Sequence, residues 1–382
     1  MGYLHIEVNA EQEIKKPHPV CGDLWHCERN DLATTLICCD GYGSGVMARI
    51  AARMAVSKLL EFLRLGYSLH QAFSSLVGSI NRIRSGGFPY AAFAVARILP
   101  DGSANVLGYD MPPPLLVMPR QVAVLQQQSR TVEQAVINEA DCRLAAGDGL
   151  LLVTDGVTQS GMGLGFDGGW GPEGVRRYAE IALQRGVPLE QLPGQVVGQA
   201  LVHWKGSRGD DCTAVLASCR PGRVLSILTG PPVDPRHDGR MVARFMKTDG
   251  FHVVCGASTA KMVARQLHRT MRVEQGTRSA IAPPECYIEG IDLATEGAIT
   301  LNQLYNILDE DPAGFEPDSP VTRFYEQIMA ADRIDFLVGG AVNVASTDIS
   351  FVQNGILPRR KIVPLLADKL RTQGKLVVEE YY

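Results

Sequence analysis

Two apolar runs in this chain end in the same way, on an aspartate followed by a glycine. Ala33 to Cys39 stops at Asp40-Gly41, and Leu150 to Thr154 stops at Asp155-Gly156. Runs of this length and character, bounded by glycine, read as buried strands. A carboxylate fixed at the end of a rigid strand, beside bare backbone, is a good place to hold a hard cation. After Asp40 come Gly41, Gly43 and Gly45, and then a helical pattern begins. These glycines permit a sharp turn and a close approach of backbone to a bound group. A single Asp-Gly pair is more often a turn than a ligand, so the weight lies in the recurrence.

Two further carboxylate sites sit beside glycine, Asp23 after Gly22 and Asp210-Asp211 after Gly209. Oxygen donors without histidine suit Mg²⁺ or Mn²⁺ better than Zn²⁺. Two such ions close together can share a bridging water and clamp a phosphoryl group. A zinc reading of Cys21, His26, Cys27, Cys38 and Cys39 matches no standard ligand spacing. Small buried cysteines account better for Cys38 and Cys39. The Gly41-Tyr42-Gly43 and Gly161-Met162-Gly163 stretches lack both a full dinucleotide fingerprint and a P-loop lysine.

The rest of the chain supports two domains. With 382 residues, 46% hydrophobic and 20% charged, it can bury a sizeable core. A net charge of −4 speaks against nucleic acid as a partner. No apolar run approaches membrane-spanning length, and the first residues lack a signal-peptide layout. Nine cysteines, an odd number with Cys38 and Cys39 adjacent, suggest a reduced, cytoplasmic protein. Met1 to Gln12 alternates as an edge strand. Gly45 to Leu65 and Ser68 to about Arg84 read as helices, the second with a core stripe through Leu69, Phe73, Leu76 and Ile80. Tyr90–Leu99, Ser103–Tyr109, Leu115–Met118 and Val122–Gln126 form a meander that suggests antiparallel pairing. Gly161–Pro172 reads as a glycine-rich flap, followed by helices near Glu173–Arg185 and Leu189–Val202 and a last strand, Thr213–Ser218. Near Arg220-Pro221-Gly222 the rhythm changes to alternating strand and helix, which points to a separate α/β domain.

Taken together, Gly22-Asp23, Asp40-Gly41-Tyr42-Gly43-Ser44-Gly45, Gly147-Asp148 through Thr154-Asp155-Gly156, and Asp210-Asp211-Cys212-Thr213 resemble the metal-dependent Ser/Thr protein phosphatases of the 2C class, and within it the bacterial SpoIIE-type branch. The resemblance implies an α+β fold, a four-layer α-β-β-α phosphatase sandwich over residues 1–220, followed by a smaller α/β domain over residues 221–382. It also implies a site for two Mn²⁺ or Mg²⁺ ions. Asp40 would bridge the two. Asp23 and the Gly41 carbonyl would complete one ion's protein ligands, and Asp155 and Asp210 would hold the other. Asp211 is the less favoured ligand of its adjacent pair, and Asp148 reads as a turn residue. Gly161–Trp170 falls where such enzymes carry substrate-facing elements. The implied reaction is hydrolysis of phosphoserine or phosphothreonine on a regulatory partner protein, of the anti-sigma-factor antagonist type, by a metal-bridged hydroxide. Some members of the wider class carry a phosphate-binding arginine and a general-acid histidine, and neither motif can be placed here. His26 reads as a strand histidine, and Arg49 and Arg53 as solvated helix residues. The alternatives are a signalling or ligand-sensing module with a phosphatase-like domain, and a scaffold that binds partners through its C-terminal domain.

In residues 221–382 three apolar strands end in glycine, before Gly230, Gly256 and Gly339-Gly340. In an open parallel sheet such strand ends form the ligand crevice. Gly256, Ser258 and Thr259 open a helix whose free N–H groups and hydroxyls suit a small anion, and Glu289, Asp292 and Glu296 lie on a nearby loop. The bland alternative is a packing domain whose glycines only make tight turns.

Overall fold

The protein is described from a computed structural model, covering residues 2–85, 90–132, 134–205, 209–273, 286–317, 319–341 and 355–382. It divides into two compact units, Leu4–Pro221, and Gly222–Tyr382 together with Met1–Tyr3.

The first unit runs β1 (Leu4–Glu13), β2 (Leu24–Arg29), β3 (Thr34–Gly41), α1 (Val46–Arg64), α2 (Leu69–Ser85), β4 (Ala91–Ile98), β5 (Ser103–Tyr109), β6 (Leu115–Met118), β7 (Gln121–Val124), β8 (Gln128–Val132), β9 (Ala135–Arg143), β10 (Gly149–Val153), α3 (Asp155–Thr158), α4 (Gly171–Gln184), α5 (Leu192–Trp204) and β11 (Cys212–Pro221). Its strands form two antiparallel sheets, ordered β1-β11-β10-β6-β7 and β2-β3-β4-β5-β9-β8. Successive strand residues point to opposite faces, so a strand with both faces covered must be apolar throughout. In β3, Leu36 and Cys38 face the interior between the sheets, while Ile37 and Cys39 face α1 and α2. In β10, Leu150 and Leu152 face inward, and Leu151 and Val153 face α3–α5. The result is the four-layer α-β-β-α sandwich. Each large apolar side chain fully buried in it contributes about 1.5–3 kcal/mol.

Local chemistry sets the element ends. α2 starts with a reciprocal cap, in which Ser68 Oγ accepts the Gln71 N–H at 3.3 Å and Gln71 Oε1 accepts the Ser68 N–H at 3.0 Å. The second Asp-Gly junction is a helix start rather than a plain turn, since α3 opens at Asp155. The Gly161–Pro172 stretch is held by a Met162–Phe166 bridge, and Trp170 stacks edge-on against His203 at 4.8 Å. Residues 207 and 208, just before the Gly209-Asp210-Asp211 stretch, lie outside the described residues.

The second unit runs β12 (Val224–Thr229), α6 (Asp238–Phe245), β13 (Phe251–Cys255), α7 (Ala257–Gln266), β14 (Met271–Val273), β15 (Cys286–Ile288), β16 (Leu293–Thr295), α8 (Ala298–Ile307), α9 (Pro320–Ala330), β17 (Arg333–Val338), α10 (Arg359–Thr372) and β18 (Leu376–Tyr381). One sheet, ordered β14-β15-β16-β13-β12-β17-β18, carries all the strands among its described residues. From β16 to β18 every pairing is parallel, and β14 and β15 add an antiparallel edge. Helices α6 and α7 pack on one face, and α8, α9 and α10 on the other. The parallel core thus runs third-second-first-fourth-fifth in chain order, a doubly wound arrangement whose order reverses between β12 and β17.

Candidate metal centre

The candidate carboxylates come from elements far apart in sequence. Asp23 directly precedes β2, Asp40 and Gly41 end β3, Asp155 opens α3, and Asp210 and Asp211 directly precede β11. The two sheets bring these ends together. Asp40 lies close enough to Asp23, Asp155 and Asp210 to feel each charge, and its carboxyl is within hydrogen-bonding reach of Asp155. Close backbone packing makes this possible. A side chain at Gly41 would strike the Ala48 carbonyl oxygen of α1 at 1.9 Å, and one at Gly156 would strike the Asp211 carbonyl oxygen at 2.0 Å. Glycine is therefore required at both Asp-Gly junctions for packing, whatever else they do.

Asp23 is the most enclosed member, at 1% exposure. Its Oδ2 accepts hydrogen bonds from Thr154 Oγ1 at 2.8 Å and Thr213 Oγ1 at 2.6 Å. Its Oδ1 is buried with no hydrogen-bond partner among the described residues. A buried carboxylate oxygen without a donor is costly and marks a place where a cation fits. Burial pushes Asp23 up to about 7, although both threonine hydroxyls pull the other way. Burial, followed by the Asp23 and Asp155 charges, pushes Asp40 up to about 10. Burial also raises Asp210, against the opposing pull of Lys15. Carboxylates crowded in this manner resist joint ionisation unless positive charge joins them.

The adjacent aspartates differ. Asp211 Oδ1 accepts the Lys15 N–H at 2.7 Å and Oδ2 accepts the Gly22 N–H at 2.8 Å, so both its oxygens hold the loop before β2. Asp210 Oδ1 instead faces the Lys15 ammonium at 3.3 Å. Asp155 Oδ2 accepts from Gln159 Nε2 at 2.8 Å. Among the described residues, no three His, Cys, Asp or Glu side chains are gathered tightly enough to hold a metal ion as they stand. The donor set is nevertheless all oxygen, crowded, and includes one orphaned oxygen, which fits Mg²⁺ or Mn²⁺ in chemistry.

Several residues of the site escape a reading for carboxylates alone. Thr154 and Thr213 orient Asp23, and the Thr213 N–H also donates to Thr154 Oγ1 at 3.0 Å. Their signal was position, since Thr154 directly precedes Asp155 and Thr213 lies two residues after Asp211. Lys15 lies in a polar segment with no motif. The Arg49 guanidinium donates to the Asp23 carbonyl oxygen, which ties α1 to the site rather than leaving this arginine in solvent. Arg53 is exposed. Asp148 Oδ2 accepts the Ala145 N–H at 2.8 Å and closes the turn before β10.

In the second unit, Gly256, Ser258 and Thr259 line a cavity of about 530 Å³. Thr259 is buried there, and its Oγ1 accepts the Gly230 N–H at 2.9 Å, so this hydroxyl staples β12 to α7. Of the three expected acids only Glu296 lines the cavity. Asp292 is turned away and accepts the His252 N–H at 2.7 Å.

A sandwich of two antiparallel sheets with helices outside, carrying aspartates at the converging strand ends, defines a 2C-type phosphatase fold. The profile of Stage II sporulation protein E (SpoIIE) matches residues 30–220, and the chain belongs to this family. Solved structures similar to it include the phosphatase domain of the cell fate determinant SpoIIE from Bacillus subtilis, at 17% identity and a TM-score of 0.44 over 58% of this chain and 95% of that one. They also include the RsbU and RsbW domains of Rv1364c from Mycobacterium tuberculosis, at 16% identity and a TM-score of 0.48 over 64% and 68%. A third is RsbX in complex with magnesium, at 15% identity and a TM-score of 0.41 over 56% and 98%. A search of curated proteins returns no match. Among the described residues no helix is long and apolar enough to cross a membrane.

Proposed function

We propose that the first unit is a metal-dependent phosphatase that hydrolyses phosphoserine or phosphothreonine on a regulatory partner protein. The observation that carries this reading is the convergence of Asp23, Asp40, Asp155 and Asp210, with the buried Asp23 Oδ1 lacking a donor. Asp40, which feels the charges of Asp23, Asp155 and Asp210, is the residue placed to contact two ions. Asp23 and the Gly41 carbonyl would serve one ion, and Asp155 and Asp210 the other. Asp210 is preferred over Asp211, whose two oxygens already accept backbone N–H groups. Mg²⁺ or Mn²⁺ bound there supplies positive charge for the phosphoryl oxygens and acidifies coordinated water. Thr154 and Thr213 hold the Asp23 carboxylate in one rotamer, and Arg49 holds its backbone, so the donor set is oriented before substrate arrives. Family membership supports a phosphoprotein substrate of the anti-sigma-factor antagonist type.

The test is hydrolysis of p-nitrophenyl phosphate with Mn²⁺ and with excess chelator, in the parent and in Asp40→Asn and Asp155→Asn. Activity should require the metal and fall by at least about a hundredfold in each variant. Activity indifferent to chelation, or retained in both variants, refutes the proposal. Specificity constants on a phosphorylated antagonist protein and on free phosphoserine then test the substrate class, and equal values count against a protein.

A second reading, a signalling module without turnover, is favoured by Lys15, whose ammonium already sits on Asp210. That reading predicts no saturable Mn²⁺ binding, which calorimetry on the same protein decides.

A further inference from the structure

The cavity of the second unit lies where a doubly wound sheet places ligands, at the carboxyl ends of β12, β13 and β17 beside the reversal of strand order. Three helix starts meet there, those of α7, α8 and α10, and none carries a side-chain cap. Each leaves first-turn N–H groups and the positive end of a helix dipole facing the same volume. Glycines allow the close approach. An added Cβ at Gly297 would lie 3.4 Å from the Gly256 Cα, so the turns entering α7 and α8 touch backbone to backbone.

The charge lining the cavity is one-sided. Arg359, Arg360 and Lys361 face a single carboxylate, Glu296, among the described lining residues. Arg359 is the telling member. Its Nη2 donates to the Ala341 carbonyl at 3.0 Å, and its Nη1 is buried with no hydrogen-bond partner among the described residues. Its guanidinium occupies the space over Gly230, where an added Cβ would lie 0.8 Å from Nη1. Burial, with the neighbouring Arg360 charge, holds this guanidinium below its usual value, as expected of a cation that lacks its anion.

We infer that this cavity binds a small molecule through a phosphate group. Three helix starts and three cations against one carboxylate balance the two negative charges of a phosphate monoester better than the single charge of a carboxylate. A volume of about 530 Å³ accommodates a molecule of mononucleotide size as readily as the free anion.

Calorimetry on the full chain tests this, with inorganic phosphate, AMP and adenosine as probes in excess chelator. The chelator removes the divalent ions through which the first unit would take phosphate, and Asp40→Asn serves as a control that keeps the binding. Phosphate and AMP should bind saturably, with adenosine at least about tenfold weaker than AMP. Phosphate binding as tightly as AMP identifies the free anion as the ligand. Tighter AMP identifies a phosphorylated metabolite. Ala257→Glu puts a carboxylate at the exposed first position of α7, which suits the helix dipole and so preserves folding, yet repels an anion. It should weaken AMP at least about tenfold at an unchanged melting temperature, and Arg359→Gln should do the same. No saturable binding of phosphate or AMP at about 10 mM, adenosine equal to AMP, or full affinity in a folded Ala257→Glu overturns the inference.

Discussion

Thr213 Oγ1 donates to Asp23 Oδ2 at 2.6 Å, joining residues 190 positions apart in sequence. The contact ties the start of β11 to the residue before β2, and so couples both sheets to the buried carboxylate. Thr213→Val keeps the shape and removes the donor. We predict a loss of about 1–2 kcal/mol in stability and a Mn²⁺ activation midpoint raised about tenfold or more. The maximal rate at saturating metal should change much less. A titration of activity against Mn²⁺ measures both, and an unmoved midpoint would show that this threonine does not orient a metal ligand.

Metal-free Asp40 is held in a site that disfavours its charge. Its value rises from an ordinary 3.8 to about 10, and that of Asp23 to about 7. Raised carboxylates keep their protons in the folded state, so the stability they contribute is full below about pH 4 and is lost as pH rises toward these values. In excess chelator, Asp40→Asn should therefore match the parent near pH 4 and exceed it at pH 8, by roughly 1–3 kcal/mol. Added Mn²⁺ should reverse the order at pH 8, because only the parent gains from the ion. Thermal melts across pH decide it, and an asparagine variant less stable than the metal-free parent at pH 8 contradicts the electrostatic account.

Glycine at the Asp-Gly junctions separates packing from chemistry. Gly156→Ala would drive a Cβ to 2.0 Å from the Asp211 carbonyl oxygen. We expect it to cost about 1–3 kcal/mol. Gly198, inside α5, is exposed, and a Cβ added there would meet no atom within 4 Å. Gly198→Ala should stabilise by about 0.5–1 kcal/mol, since glycine is the weaker helix former. Opposite signs in denaturant melts are the expected outcome.

Fully covered strands were the most legible part of the chain. β3 and β10 are covered on both faces, β3 closes on Asp40-Gly41, and Asp155 follows β10 after Thr154, so run and candidate ligand appear in one short stretch. β9 was not legible. Its Asn138, Glu139 and Asp141 interrupt the pattern, and only Ala135, Ile137 and Ala140 are buried along it. The short strands β14, β15 and β16 span three residues each, too few to show a period. In the site, the aspartates could be read because glycine marks each of them. Lys15 could not, because its backbone N–H meets Asp211 only once β1 and β11 pair. Arg359 was hidden for a similar reason. It lies over 100 residues from Gly256, and only the parallel sheet brings both to one cavity.

A buried charge ties helix to sheet in the second unit. Asp335 on β17 is 1% exposed and pairs with Arg333 at 2.7 Å and Arg244 at 3.2 Å. Arg244 reaches from α6 and also meets Glu380 of β18, so the group pins a helix to two neighbouring parallel strands. Asp335→Ala removes the shared acceptor and leaves two partly buried guanidinium groups facing each other. Removing one partner of a buried ion pair costs about 3–5 kcal/mol. Because both arginines keep some access to water, about 2–4 kcal/mol is expected here. Asp335→Asn retains an acceptor oxygen and should lose less. Adding Arg244→Met to Asp335→Ala should recover part of the loss, since it removes one of the two cations that shared Asp335 and leaves an apolar stem against the sheet. A double-mutant cycle in urea measures this coupling. Additive losses would mean that Asp335 and Arg244 act independently, and that the helix is held to the sheet by its apolar face through Met241, Val242 and Phe245.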